Sequence, residues 1–148
     1  MNPVVTISGG GIIGNYISSR LNNNNIETLV IEKSPSDLSE KENIRTLTLN
    51  SYSKELLDDL GINIDYAEIK KINVFDGEGT GKIDFSSDEI HSENLSYVVY
   101  FNDLQSALKR KEQERTLFEE EIKRFKEYGV NKSCEILLSK DKKITSQF

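Results

Sequence analysis

Three glycines and one glutamate carry the clearest chemistry in this sequence. Gly9, Gly11 and Gly14 stand at the G-x-G-x-x-G spacing, between the apolar run Val4-Val5-Thr6-Ile7 and the amphipathic stretch Asn15 to Leu21. In a strand-turn-helix setting the first glycine permits the tight turn. The second lets a pyrophosphate approach the backbone, and the third lets the helix pack on the strand. The unpaired N–H groups at the helix start, those of Ile12 and Ile13 among them, then face the anion. Glu32 falls about twenty residues beyond the glycines, closing the β-rich run Thr28-Leu29-Val30-Ile31. A carboxylate there accepts hydrogen bonds from ribose hydroxyls and repels a 2′-phosphate. Glycines also cluster in ordinary turns, and Glu32 has the plainer reading of a solvated strand-end charge. Strand, turn, helix and acid nevertheless follow one another as in a βαβ unit, which points to an adenine dinucleotide.

Composition narrows what else the chain can do. Its 148 residues suffice for one domain with a real core but are short for a nucleotide domain plus a substrate domain. A net charge of -6, with Lys and Arg interleaved among Asp and Glu, argues against a nucleic-acid surface. Cys134 is the single cysteine and His91 the single histidine, so a zinc site or a Ser-His-Asp triad has little material, and no metal site is expected. The N-terminus enters a strand with no basic flank, no signal-type apolar region and no run of about 20 apolar residues. That predicts a cytoplasmic chain without a membrane-spanning helix, and it leaves peripheral membrane contact open.

The elements that must position these residues follow in chain order. A helix is predicted from Gly14 through the amphipathic stretch Asn15 to Leu21, the polar run Asn22 to Asn25 connects it to the second strand, and Ser34 to Glu42 reads as a surface loop. Ile44 to Leu49 alternates as an extended segment. Asn50 or Ser51 can then cap a helix carrying Leu56, Leu57 and Leu60, which Gly61 ends. Ile69 to Phe75 and Lys82 to Phe85 read as a hairpin about the turn Asp76 to Gly81. Tyr97 to Tyr100 is a further strand, and Asn102 or Asp103 can cap a helix opening at Leu104, with Ala107 and Leu108 on its apolar face. From Lys109 to Tyr128, Leu117, Phe118, Ile122 and Phe125 keep a helical spacing among charged residues, which predicts a long helix ended by Gly129. Cys134 to Ser139 is expected as a last strand before a polar tail.

In four of these blocks the chain resembles the N-terminal part of the class A flavin-dependent aromatic hydroxylases, nearest the ubiquinone-biosynthesis hydroxylases related to p-hydroxybenzoate hydroxylase. The blocks are the glycine turn with Glu32; Ile44 to Ser51 running into Leu56-Leu57-Asp58-Asp59-Leu60-Gly61-Ile62; Ile72 to Gly77; and Tyr97 to Leu108. The resemblance implies an α/β fold, a Rossmann-like βαβ FAD-binding domain with a β-hairpin excursion, and it implies that residues 1–148 are the N-terminal part of that domain. It further implies that Gly9, Gly11, Gly14 and Glu32, with Ile12, Ile13 and Lys33 beside them, hold the ADP half of FAD. Arg45 resembles the family arginine near flavin and pyrophosphate, where a guanidinium can donate bidentate bonds. Asn102 and Gln105 resemble polar residues beneath the cofactor, although Asn102 equally suits an N-cap. The family's later Asp-Gly and Gly-Asp motifs are absent, and past Leu108 the likeness fades.

The activity so implied is hydroxylation of an electron-rich aromatic ring, with NAD(P)H as electron donor, FAD as cofactor and O2 as oxidant. The substrate implied is a polyprenylated phenol or quinol precursor presented from the membrane. No side chain need act as a nucleophile, and no catalytic residue is assigned. A partner chain supplying the missing half is expected if the gene is split. Two alternatives stay open at this level: a non-catalytic dinucleotide-binding fragment, and the NAD-binding domain of a dehydrogenase. Arg45 and the fourth block speak against the second.

Overall fold

The computed structural model describes residues 3–36, 44–129 and 133–148, and the chain divides into two compact units. The first is formed by Met1–Glu40 with Gln105–Phe148, the second by Lys41–Leu104.

In the first unit, β1 (Val5–Ser8) leads through the glycine turn into α1 (Ile12–Asn23) and on to β2 (Thr28–Glu32). Parallel pairing of Val5 with Thr28 and Ser8 with Ile31 closes a βαβ unit. A third parallel strand, β8 (Thr116–Phe118), pairs with the far edge of β2, so β2 is central. Its position explains its composition: Thr28, Leu29, Val30 and Ile31 are all buried, as a parallel strand covered on both faces requires. A second sheet, β11-β10-β9, is antiparallel and comprises β9 (Ile122–Tyr128), β10 (Ser133–Leu138) and β11 (Lys143–Ser146). Leu29 and Ile31 pack with Ile136, Leu138 and Ile144 in one buried cluster, so the two sheets share a core. On its outer edge β1 meets the end of the chain. Thr6 N–H donates to Phe148 O at 2.8 Å and Phe148 N–H to Val4 O at 2.9 Å, the bond pattern of a parallel bridge.

In the second unit, β3 (Thr46–Leu49), β7 (Ser96–Tyr100) and β4 (Ala67–Ile69) form an antiparallel sheet in the order β3-β7-β4. α2 (Ser51–Asp58) begins where Asn50 Oδ1 accepts from Ser53 N–H at 2.8 Å, the cap expected of it. Gly61, at φ +68°, turns the chain out of that helical segment. β5 (Lys71–Phe75) and β6 (Lys82–Ser86) make the hairpin, and the pairs Ile72–Phe85 and Val74–Ile83 put its apolar residues on one face. α3 (Phe101–Glu112) starts in this unit and ends in the first.

Several expectations need correction. The long helix over Lys109 to Tyr128 does not exist: α3 stops at Glu112, a single 3-10 turn follows, and the remainder forms β8 and β9. Leu117, Phe118, Ile122 and Phe125 satisfy a helical period by coincidence, because they belong to two short strands broken by Glu119 at φ +58°. Backbone pairing with β2 and β10 decides the matter, a long-range term that periodicity cannot carry. Gly129 accordingly sits in a turn between strands, and the polar tail contains β11, so Cys134 does not open the last strand. Ile69 to Phe75 is two strands in different sheets rather than one. α3 opens at Phe101, so Asn102 lies inside the helix instead of capping it. The loop expected over Ser34 to Glu42 lies, from 37 onward, outside the described residues.

If residues 122–128 are a surface strand on a buried one, Leu138→Ala and Phe125→Ala must differ sharply. Leu138 is fully buried and Phe125 is 65% exposed. Urea unfolding should show a loss of about 2–5 kcal/mol for Leu138→Ala and about 0.5 kcal/mol or less for Phe125→Ala. Equal losses would contradict the strand assignment.

Candidate functional site

The glycine turn is built by two backbone requirements. Gly9 holds φ +101°, a conformation that L side chains rarely adopt, and its N–H donates to Ile31 O at 2.8 Å, which fixes the turn at the end of β2. A Cβ added at Gly14 would collide with the carbonyl oxygen of Gly9, so only glycine lets α1 lie this close to β1. At Gly9 and Gly11 an added Cβ would meet no atom within 4 Å, which leaves the outer side of the turn open.

The start of α1 carries an unbalanced positive end. Gly11 is the N-cap and offers no side chain, no acidic residue stands in the first turn, and the first helical bond runs from Asn15 N–H to Gly11 O at 3.0 Å. The N–H groups of Gly11, Ile12, Ile13 and Gly14 thus precede the hydrogen-bonded ladder, and the helix dipole adds to their partial charges. An anion seated there would meet several donors at once.

Glu32 is folded back onto this turn. Its Oε2 accepts from Gly10 N–H at 2.6 Å and its Oε1 from Ser34 N–H at 2.7 Å. Partial burial pushes its pKa up. The Ser34 and Gly10 N–H bonds, helped by the Ser34 hydroxyl and the nearby charge of Lys109, outweigh that and hold the carboxyl below the ordinary glutamate value of 4.5. The two N–H groups and the Ser34 hydroxyl use three of about four lone-pair positions on the carboxylate, which leaves it room to accept one further hydroxyl group. Gly10 and Asn15 complete the turn, and the sequence reading passed over both. Asn15, 1% exposed, donates from Nδ2 to Gly10 O at 2.8 Å, so Asn15 and Glu32 hold the two peptide groups on either side of the Gly10 Cα. Its position directly after Gly14 was the only signal for it.

The other predicted residues are distributed as follows. Lys33 is exposed at the end of β2. Arg45 lies in the second unit, where its guanidinium carbon sits 4.5 Å from the centroid of the Phe101 ring and its carbonyl accepts from Phe101 N–H at 2.9 Å. Asn102 follows Phe101 in α3, and Gln105, three residues on, shares its side of the helix. The structure therefore brings the glycines and Glu32 together in one unit and joins Arg45 to the first turn of α3 in the other. Among the described residues no helix is long and apolar enough to cross a membrane.

No protein-family model and no curated protein matches the sequence. Solved structures match the fold over nearly the whole chain. p-Nitrophenol 4-monooxygenase PnpA from Pseudomonas putida is 12% identical with a TM-score of 0.74, and the match covers 99% of this chain and 40% of that one. PqsL of P. aeruginosa, solved with 2-aminobenzoylacetate, is 13% identical with a TM-score of 0.78, covering 99% and 41%. HpxO of Klebsiella pneumoniae, solved with FAD and uric acid, is 16% identical with a TM-score of 0.71, covering 95% and 36%. The chain thus shares its mixed α/β fold with FAD-dependent monooxygenases and spans less than half the length of those structures.

The geometry at Glu32 has a pH consequence. Because the folded pKa is lowered, the bonds to Gly10 and Ser34 contribute in full above the unfolded value and are lost as pH falls through the folded one. The Gly10 amide proton in an NMR titration should keep its shift above about pH 5 and move with a midpoint below 4.5. A midpoint at or above that value would contradict the arrangement.

Proposed function

We propose that this chain binds FAD as the N-terminal part of an NAD(P)H-dependent flavoprotein monooxygenase that hydroxylates an aromatic ring. One observation carries the reading: an uncapped helix start, an open glycine turn and an ionised Glu32 converge on one point, which suits a pyrophosphate and the ribose beside it. The N–H groups from Gly11 to Gly14 would hold the pyrophosphate oxygens. Glu32 would accept from a ribose hydroxyl, and its negative charge disfavours a 2′-phosphate, which separates FAD from a resident NADP. Arg45, Asn102 and Gln105 would contact the rest of the cofactor, and Lys33 would lie beside the adenosine.

FAD, when bound, would supply the redox chemistry, so the chain's own residues have to bind, orient and exclude water rather than act as nucleophiles. The fold likeness to p-nitrophenol 4-monooxygenase PnpA supports the monooxygenase class, and the FAD bound in HpxO supports the cofactor. The p-nitrophenol of PnpA, the 2-aminobenzoylacetate bound to PqsL and the uric acid bound to HpxO support an aromatic or heteroaromatic substrate. The finer reading, a polyprenyl phenol in ubiquinone biosynthesis met at a membrane surface, rests on the sequence blocks alone. The chain spans less than half the length of PnpA, so the substrate enclosure of such a protein lies outside these residues.

Gly11 allows a test that separates binding from folding. An added Cβ there meets no atom within 4 Å, so Gly11→Val should cost the fold no more than about 1–2 kcal/mol of helix capping while blocking the pyrophosphate. Isothermal titration with ADP-ribose should show binding weakened at least about tenfold for Gly11→Val. Glu32→Ala should cost about 1.5–3 kcal/mol, the worth of hydrogen bonds to a charged acceptor. A 2′-phosphorylated ADP-ribose should bind the native chain more weakly than ADP-ribose. Equal affinity of the native and Gly11→Val chains would overturn the reading, and tight binding of NAD with none of FAD would favour a dehydrogenase domain.

A further inference from the structure

The side chains that α1 buries are all polar: Asn15, Ser18 and Ser19. Helices normally sit on a sheet through an apolar stripe. Here that role falls to a hydrogen-bonded cluster whose centre, Glu112, comes from the end of α3 and is 1% exposed. Ser18 Oγ donates to Glu112 Oε2 at 2.5 Å and Ser19 Oγ to Oε1 at 2.6 Å, with Asn22 Nδ2 a further 3.3 Å from Oε2. Because Ser18 commits its hydrogen to Glu112, the 2.6 Å contact between Ser18 Oγ and Thr28 Oγ1 makes Thr28 the donor. Thr28 Oγ1 in turn accepts from Asn22 Nδ2 at 2.6 Å. The bonds therefore run in one direction, from Asn22 through Thr28 and Ser18 to the carboxylate, and each polarises the next. Arg115 is half exposed, with Nη1 3.9 Å from Oε1, so the closer hydroxyls are the main partners of the buried acid.

We propose that Glu112 is a positioning residue for the pyrophosphate cradle, acting through α1; the proposal rests on the dinucleotide reading of the glycine turn. The mechanism is leverage. Glu112 grips α1 at Ser18 and Ser19, roughly 9 Å along the helix axis from the Ile12 N–H. A tilt of about 6° about that grip moves the first turn by about 1 Å, enough to spoil N–H···O bonds that tolerate only a few tenths of an ångström. Without the carboxylate, Ser18 and Ser19 turn to carbonyls of their own helix, a pattern that bends helices, and the cradle loses its fixed aim.

The test compares Glu112→Ala, Glu112→Gln and Ser19→Ala in the full chain by amide hydrogen exchange without ligand and by titration with ADP-ribose. Glu112→Ala should speed exchange at the hydrogen-bonded amides of residues 15–18 by about tenfold, leave β10 and β11 amides unchanged, and weaken ADP-ribose about tenfold. Ser19→Ala removes one donor and Glu112→Gln keeps one acceptor, so each should fall between native and Glu112→Ala. If Glu112→Ala does not fold, Ser19→Ala carries the same readout. Native exchange at residues 15–18 in these variants would overturn the proposal, and so would acceleration spread evenly over β10 and β11. If the native chain fails to bind ADP-ribose, the dinucleotide reading fails, while the exchange data still report whether Glu112 holds the helix.

Discussion

The approach of α1 to β1 is governed by an atom that is missing, the β-carbon of Gly14. With that carbon present the helix would meet the Gly9 carbonyl and have to stand off. Close approach brings the Asn15 amide to Gly10 O and the Ser18 hydroxyl to Thr28, at distances that small polar side chains can span. Once the inner face of α1 is polar, it needs acceptors inside the protein, since buried hydroxyls without partners cost more than they return. Glu112 supplies them. The glycine spacing and the buried acid at the end of α3 are thus parts of one packing solution.

How legible each part was in the sequence follows from how local its cause is. The glycine turn, the Asn50 cap and the hairpin are dictated by residues within a few positions of one another, and the reading agrees with the structure at all three. β2 was recognisable because a buried parallel strand needs an uninterrupted apolar run. The region after Glu112 was misread because its cause lies far away: Leu117 and Phe118 are strand residues through pairing with Ile31 and Glu32. Glu112 itself sat in a charge run that reads as a solvated face. Nothing within ten residues of it reveals that two serine hydroxyls wait about ninety positions earlier. Arg45 and Asn102 were found by likeness to a family, and the structure adds what the likeness lacked, the ring of Phe101 beneath the guanidinium.

The paired bonds between Phe148 and β1 bear on how such a chain acquires its shape. The first unit is discontinuous: its central strand needs Thr116 to Phe118 on one edge, and the edge beyond β1 needs the last residue described. Closing Val4 onto Phe148 makes a loop of almost the entire chain, and because the entropy of closure grows only with the logarithm of length, the cost is mainly one of time. The second unit has no such debt to distant residues, since its strands pair within one continuous stretch. During synthesis it can therefore be complete while the apolar surface of β2 still lacks both its neighbour β8 and the β10 residues that cover it. For that interval a strand whose residues Thr28 to Ile31 are all buried in the finished fold is an exposed edge, the condition under which chaperones bind and chains aggregate.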